Sequence, residues 1–224
     1  YSFLAFKPKE YIVADDWTKL EEALSSDESC YENCWFGYLG YGLKNSLEKL
    51  PEDSEPFIKT PRLLMACFNL LLVFDHLEET CFVWSGSSEN LKNIPMPVAE
   101  PKEQCVEVET ISSNMNRLQY FENVEKVLEA IKRGDLSQAN LTRKFFGAFK
   151  SKINAFEIFA KICKVSPAPY SSFLRLKGYE IVSSSPERFL TLDNNSKAES
   201  RPIKGSAPRF SDIKKDEESL RQLA

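Results

Sequence analysis

Residues 63–74 form an almost unbroken apolar run, Leu-Leu-Met-Ala-Cys-Phe-Asn-Leu-Leu-Leu-Val-Phe. That is too long for one ordinary strand unless the strand is covered on both faces. Asp75 to Thr80 then reads as a turn, and Cys81-Phe82-Val83-Trp84 as the returning strand. Another short strand is expected at residues 11–14. Residues 34–43 are aromatic and carry Gly37, Gly40 and Gly42. Their spacing, G-x-x-G-x-G, is the reverse of the dinucleotide fingerprint, so a strand packed closely on another backbone accounts for them better.

Helical spacing appears between the strands. Asp15 or Asp16 can cap a helix bearing Trp17, Leu20 and Leu24 on one face. Residues 116–133 repeat Tyr120, Val124, Val127 and Ile131, with Lys132 and Arg133 at the negative end of the dipole and Gly134 as terminator. Asn154, with Glu157 three residues on, begins a third helix whose Phe156, Phe159 and Cys163 face a core. Ser211 can cap a last one bearing Ile213, Leu220 and Leu223. Strands are expected at 138–142, 170–176, 179–184 and 188–192. Their turns are Lys177-Gly178, the Ser185-Pro186 corner and a two-residue hairpin turn at Asn194-Asn195. Residues 86–109, rich in Ser, Pro, Glu and Lys, read as a connector. The chain therefore divides into an N-terminal part with its connector, 1–110, and a second part, 111–224.

Composition narrows the function classes. A net charge of −4 offers no basic surface, which argues against nucleic acid as partner. No apolar run reaches the roughly 18–20 residues of a membrane span, and no signal peptide opens the chain, so it reads as cytoplasmic. Of six cysteines only Cys30 and Cys34 are close, and the one histidine, His76, is distant from them. Reduced, buried thiols fit better than a zinc site. His76 reads as a turn residue at a strand end.

Chemistry concentrates near the end. In Arg201-Pro202-Ile203-Lys204-Gly205-Ser206-Ala207-Pro208-Arg209 a single lysine sits on a turn stiffened by proline and loosened by glycine. Upstream lie Gly134 to Arg143, Ser166 to Phe173, and Ser184-Ser185-Pro186-Glu187-Arg188-Phe189. Glu187 and Lys204 form a plausible acid/base and nucleophile pair, although both are charged at neutral pH unless burial tunes them, and a structural ion pair would account for them too. If the Asn194-Asn195 turn sets the register, Pro202 opposes Glu187, Lys204 opposes Ser185, and the two side chains share a face. On the 138–142 strand, Gln138, Asn140 and Thr142 point one way. They make a ligand wall or simply face water.

In order and spacing these four motifs, with Tyr1-Ser2-Phe3-Leu4 and residues 36–41, resemble the chorismate-utilising enzymes. The likeness is greatest to component I of aminodeoxychorismate synthase, with anthranilate synthase component I next. It implies an α+β fold of antiparallel sheets packed face to face with helices outside, in α/β/β/α layers. It also implies amination of chorismate to aminodeoxychorismate, toward p-aminobenzoate and folate, with ammonia from a glutamine amidotransferase subunit. In such enzymes the lysine matching Lys204 attacks the ring, and the glutamate matching Glu187 is the general acid/base. Gly205, Ser206, Gln138, Asn140 and Thr142 line the substrate site, and Pro169, Tyr170 and Ser171 belong to a tryptophan pocket, regulatory or structural. Anthranilate synthases typically have alanine where Lys204 stands. The family uses Mg²⁺, whose glutamate ligands, with the substrate's arginine contacts, would lie beyond Ala224; part of the tryptophan pocket would precede Tyr1. The expectation is a chain truncated at both ends and inactive alone. A reading of another class is a non-catalytic remnant that keeps only a tryptophan- or partner-binding surface.

Overall fold

The computed structural model describes residues 1–26, 34–49, 58–85, 92, 94, 106–203, 205 and 207–223. Its strands are β1 (Ser2–Ala5), β2 (Glu10–Ala14), β3 (Cys34–Leu39), β4 (Leu63–Phe68), β5 (Leu70–Asp75), β6 (Thr80–Ser85), β7 (Val108–Ser113), β8 (Phe145–Phe149), β9 (Ser172–Leu176), β10 (Tyr179–Ser183), β11 (Arg188–Leu192) and β12 (Ala198–Arg201). Its helices are α1 (Thr18–Ser26), α2 (Lys44–Leu47), α3 (Arg117–Arg133), α4 (Ala155–Val165) and α5 (Ile213–Leu223). The strand pairs among the described residues are all antiparallel, so the chain is α+β as expected. Two compact units form, Tyr1–Glu100 with Ser172–Ser183, and Pro101–Ser171 with Ser184–Ala224.

In the first unit the apolar run is not one strand. A bend at Asn69 splits it into β4 and β5, each the centre of its own three-stranded sheet, β2-β4-β3 and β1-β5-β6. Central strands are covered by neighbours and by layers on both faces, and that is why the alternation expected of a surface strand is missing. On one face of β4, Leu63 clusters with Ile12, Leu20 and Leu43, and Trp17, Ala23 and Met65 pack against them. On the other, Leu64, Ala66 and Phe68 meet Leu176, Leu174 and Tyr179 of the β9–β10 hairpin. Each large side chain buried so fully contributes about 1.5–3 kcal/mol. This packing draws residues 172–183 into the first unit, a grouping that the division at residue 110 did not contain.

Local signals explain most of these elements. Asp16 Oδ1 accepts from the Thr18 amide at the start of α1, but Leu24, expected in the core, is 57% exposed and Ala23 packs instead. Gly37 lies so close to β4 that a Cβ there would sit 2.0 Å from the Leu64 carbonyl oxygen. The Lys177-Gly178 turn has both residues at positive φ, 43° and 85°, which closes a tight hairpin with Tyr179 opposite Leu176.

The second unit holds the β7–β8 pair, the β11–β12 ribbon and three helices. Asn116 and Gln119 form a reciprocal capping box on α3, and Gly134 ends it at φ 79°. Asn154 caps α4 by accepting from the Phe156 amide. Among the described residues only Ala155 and Ser219 of this unit are buried. On β7–β8, Ile111, Phe145 and Phe149 share one face and are 69%, 60% and 44% exposed.

Three expectations fail here. Residues 138–142 form no strand: no described strand pairs with them, and the β7–β8 ladder begins at Phe145. The cap of α5 is Asp212, which accepts from the Lys215 amide, rather than Ser211. Ile213 and Leu220 of that helix are exposed, 75% and 66%, while Leu223 lies outside the described side chains.

Candidate active site

The second unit ties two of the motifs together. The Ser184 hydroxyl donates to the Ser166 carbonyl at 3.0 Å, and the Tyr170 amide donates to the Ser185 carbonyl at 3.1 Å. Pro169 is exposed, Tyr170 half-buried, and the Ser171 hydroxyl donates to the Ala168 carbonyl at 2.8 Å. Arg188 places its guanidinium 5.2 Å from the centre of the Tyr170 ring, a cation–π distance. Glu187, just before β11, is exposed, and its carbonyl accepts from the Ser185 hydroxyl at 3.2 Å. The carboxylate thus stands exposed on a proline-stiffened corner, open to a bound molecule.

The ribbon that leads onward has an instructive register. The turn holds three residues, Asn194 to Ser196, rather than two: Asp193 donates its amide to Lys197, and Ser196 stands at φ 60°. The Asp193 carboxylate accepts from the Asn195 and Lys197 amides and stabilises this longer loop. Leu192 accordingly pairs with Ala198 and Thr191 with Glu199. A bulge between Arg188 and Thr191 then takes up the extra residue, so Arg188 faces Arg201. That last pair has the register the two-residue turn would have produced. Two departures cancel. Lys204 and Ser206 lie outside the described residues, as does the expected sharing of a face by Lys204 and Glu187. Gly205 is exposed in irregular backbone.

Glu199 joins the ribbon's ends. Its Oε1 accepts from Arg188 Nη1 at 2.5 Å and from Arg201 Nε at 2.7 Å. Arg201 first, and Arg188 with it, hold the Glu199 carboxyl below the usual range. At the end of the lysine motif, Arg209 forms a two-pronged pair with Asp216 of α5, Nε to Oδ1 at 2.8 Å and Nη2 to Oδ2 at 2.7 Å. The signal for Glu199 was present, since residues 199 and 201 share a strand face. Nothing in the spacing of Arg209 and Asp216 pointed to their pairing. Gln138, Asn140 and Thr142 are exposed, and no hydrogen bond joins them to the other described site residues. No cluster of three or more carboxylate, histidine or cysteine side chains suited to a metal occurs among the described residues, so these residues do not fit the Mg²⁺ that the resemblance implies. His76 stays a turn residue, its Nε2 2.7 Å from Ser2 Oγ.

The pattern for chorismate binding enzymes matches residues 2–224, nearly the whole chain. The chain belongs to the chorismate binding enzyme family. It is 33% identical over 190 residues to aminodeoxychorismate synthase component 1 of Escherichia coli (strain K12), covering 84% of this chain and 41% of that protein. It is 28% identical over 193 residues to the anthranilate synthase component I-like protein of Synechocystis sp. (strain ATCC 27184 / PCC 6803 / Kazusa), covering 84% and 40%. The chain thus spans about two fifths of the length of these curated relatives. In structure it resembles anthranilate synthase component I from Streptococcus pneumoniae TIGR4, with a TM-score of 0.71 at 20% identity over 86% of this chain and 52% of that one. At that identity the likeness speaks for the fold, and it agrees with the α+β arrangement of this chain.

Proposed function

We propose that this chain is part of component I of an aminodeoxychorismate synthase, which aminates chorismate to 4-amino-4-deoxychorismate. Ammonia comes from a glutamine amidotransferase subunit, and the product leads to p-aminobenzoate and folate. The observation that carries the reading is Lys204 itself, standing between Ile203 and Gly205 in a family whose anthranilate-forming members typically place alanine there. The likeness to the Escherichia coli aminodeoxychorismate synthase component supports it.

In this reading the neutral amine of Lys204 bonds to ring carbon C2 as the C4–oxygen bond breaks and the ring double bonds shift. Glu187 gives its proton to the departing hydroxyl. Ammonia then bonds to C4, the C2–lysine bond breaks, and the amine regains its electron pair. Gly205, Ser206, Gln138, Asn140 and Thr142 orient the ring, while Pro169, Tyr170 and Ser171 line a pocket for tryptophan. Mg²⁺ would be held by residues other than those described, and no step is assigned to it.

The test uses a version completed to the length of its relatives. Lys204→Ala should stop aminodeoxychorismate formation or divert ammonia to C2. Undiminished aminodeoxychorismate from that variant would remove Lys204 from the mechanism. The likeness to the Synechocystis protein favours a second reading, an anthranilate synthase component I. Anthranilate as the product of the unsubstituted version would establish that one instead.

A further inference from the structure

The lysine motif is anchored on both sides by carboxylates for which the proposed chemistry has no use. Before it, Glu199 binds Arg201, the last residue of β12, and also Arg188 across the ribbon. After it, the Asp216 carboxylate takes the Arg209 fork and accepts from the Phe210 amide at 2.9 Å. One turn further along α5, the Ser219 hydroxyl donates to the Pro208 carbonyl at 2.7 Å. Ser219 is only 8% exposed, one of two buried residues among those described in its unit, so α5 puts a rare buried position to gripping this segment. Side chains of one short helix thus hold three consecutive residues, 208–210.

We propose that Asp216 and Ser219 on α5, together with Glu199 on β12, are positioning residues that brace the chain on either side of Lys204, at Arg201 and at residues 208–210. This rests on the proposed function only in naming Lys204 as the group positioned. Charge-assisted hydrogen bonds are among the strongest a surface offers, and a two-pronged guanidinium pair fixes direction as well as distance. An amine that must reach one ring carbon gains from that, since a misplacement of about 1 Å can cost about a hundredfold in rate.

Trypsin reports on this segment directly, because it cuts after Lys204, while Pro202 protects the bond after Arg201. In this chain, Asp216→Asn should speed cleavage of the Lys204–Gly205 bond about tenfold, the loss expected for a charged hydrogen-bond set. Cleavage after Lys150, in the same unit, should keep its rate. Ser219→Ala, a milder change, should give about threefold at the same bond. Equal rises at both bonds would mean that these side chains merely hold the unit together, and no rise after Lys204 would mean that they hold nothing there. Either result overturns the proposal. In the completed version, Asp216→Asn should lower kcat about tenfold with KM nearly unchanged, and Asp216→Glu should recover most of it. A loss confined to KM overturns the positioning role. Should the completed version fail to aminate chorismate at all, the proposed function falls, while trypsin still decides the brace.

Discussion

Single side chains carry the chemistry, and their legibility differed with their surroundings. Lys204 and Glu187 stood out through the motifs that surround them, since their local chemistry alone fits a structural ion pair as well. Asp216 did not, because its partner Arg209 sits in irregular backbone where no period relates the two. Its carboxyl is held below the usual range, chiefly by Arg209 and then by the Phe210 amide. A depressed carboxyl stabilises the fold fully above its unfolded pKa, near 4, and that contribution declines as pH falls through the folded value. The grip of α5 on residues 208–210 should therefore loosen in acid and not in base. Titration of the Asp216 side-chain carbon by NMR should show the lowered midpoint, and Arg209→Ala should move it back up toward the ordinary range. A midpoint that ignores Arg209 would contradict the pairing.

Elements were read well where local chemistry closes them and poorly where a distant strand does. The capping box on α3 is an i to i+3 event, visible in sequence and present in the structure. Asn116→Ala should cost about 1 kcal/mol in a denaturant titration. Gly37 was legible as a close approach, and the structure names the neighbour. Gly37→Ala would press a Cβ into the Leu64 carbonyl and the Met65 backbone, so it should cost about 3 kcal/mol, at the upper end of overpacking. A cost near zero would mean that β3 and β4 do not pair as described. By contrast, the division of the 63–74 run between two sheets leaves no local trace, since Asn69 is one polar residue among apolar ones. The β11–β12 turn is similar: Asp193 selects the longer loop, and only the ribbon's own bulge restores the register at Arg188.

At the scale of the whole molecule, the first unit is completed by a hairpin from far along the chain. Leu176→Ala should cost about 2–4 kcal/mol and speed amide exchange in β4, although more than a hundred residues separate them, and leave α3 unaffected. Exchange confined to the hairpin itself would argue that residues 172–183 do not belong to that core. The second unit exposes Ile111, Phe145 and Phe149 on one face, so this chain alone should bind the dye ANS and associate at micromolar concentration. Phe145→Lys should weaken both.

The sequence by itself determined the elements whose causes lie within a few residues: the cap at Asn154, the glycine stop at Gly134, the Lys177-Gly178 turn and the order of the motifs. It also determined the family, because four motifs in one order leave little else to match. Tertiary structure alone decided which unit owns β9–β10, where the apolar run breaks, and that Asp216 holds Arg209 and the Phe210 amide. The physical reason is common to all three. Each depends on surfaces or charges that meet outside any repeating pattern, whether more than a hundred residues apart, as β9–β10 and β4 are, or seven, as Asp216 and Arg209 are, and neither periodicity nor propensity relates such partners.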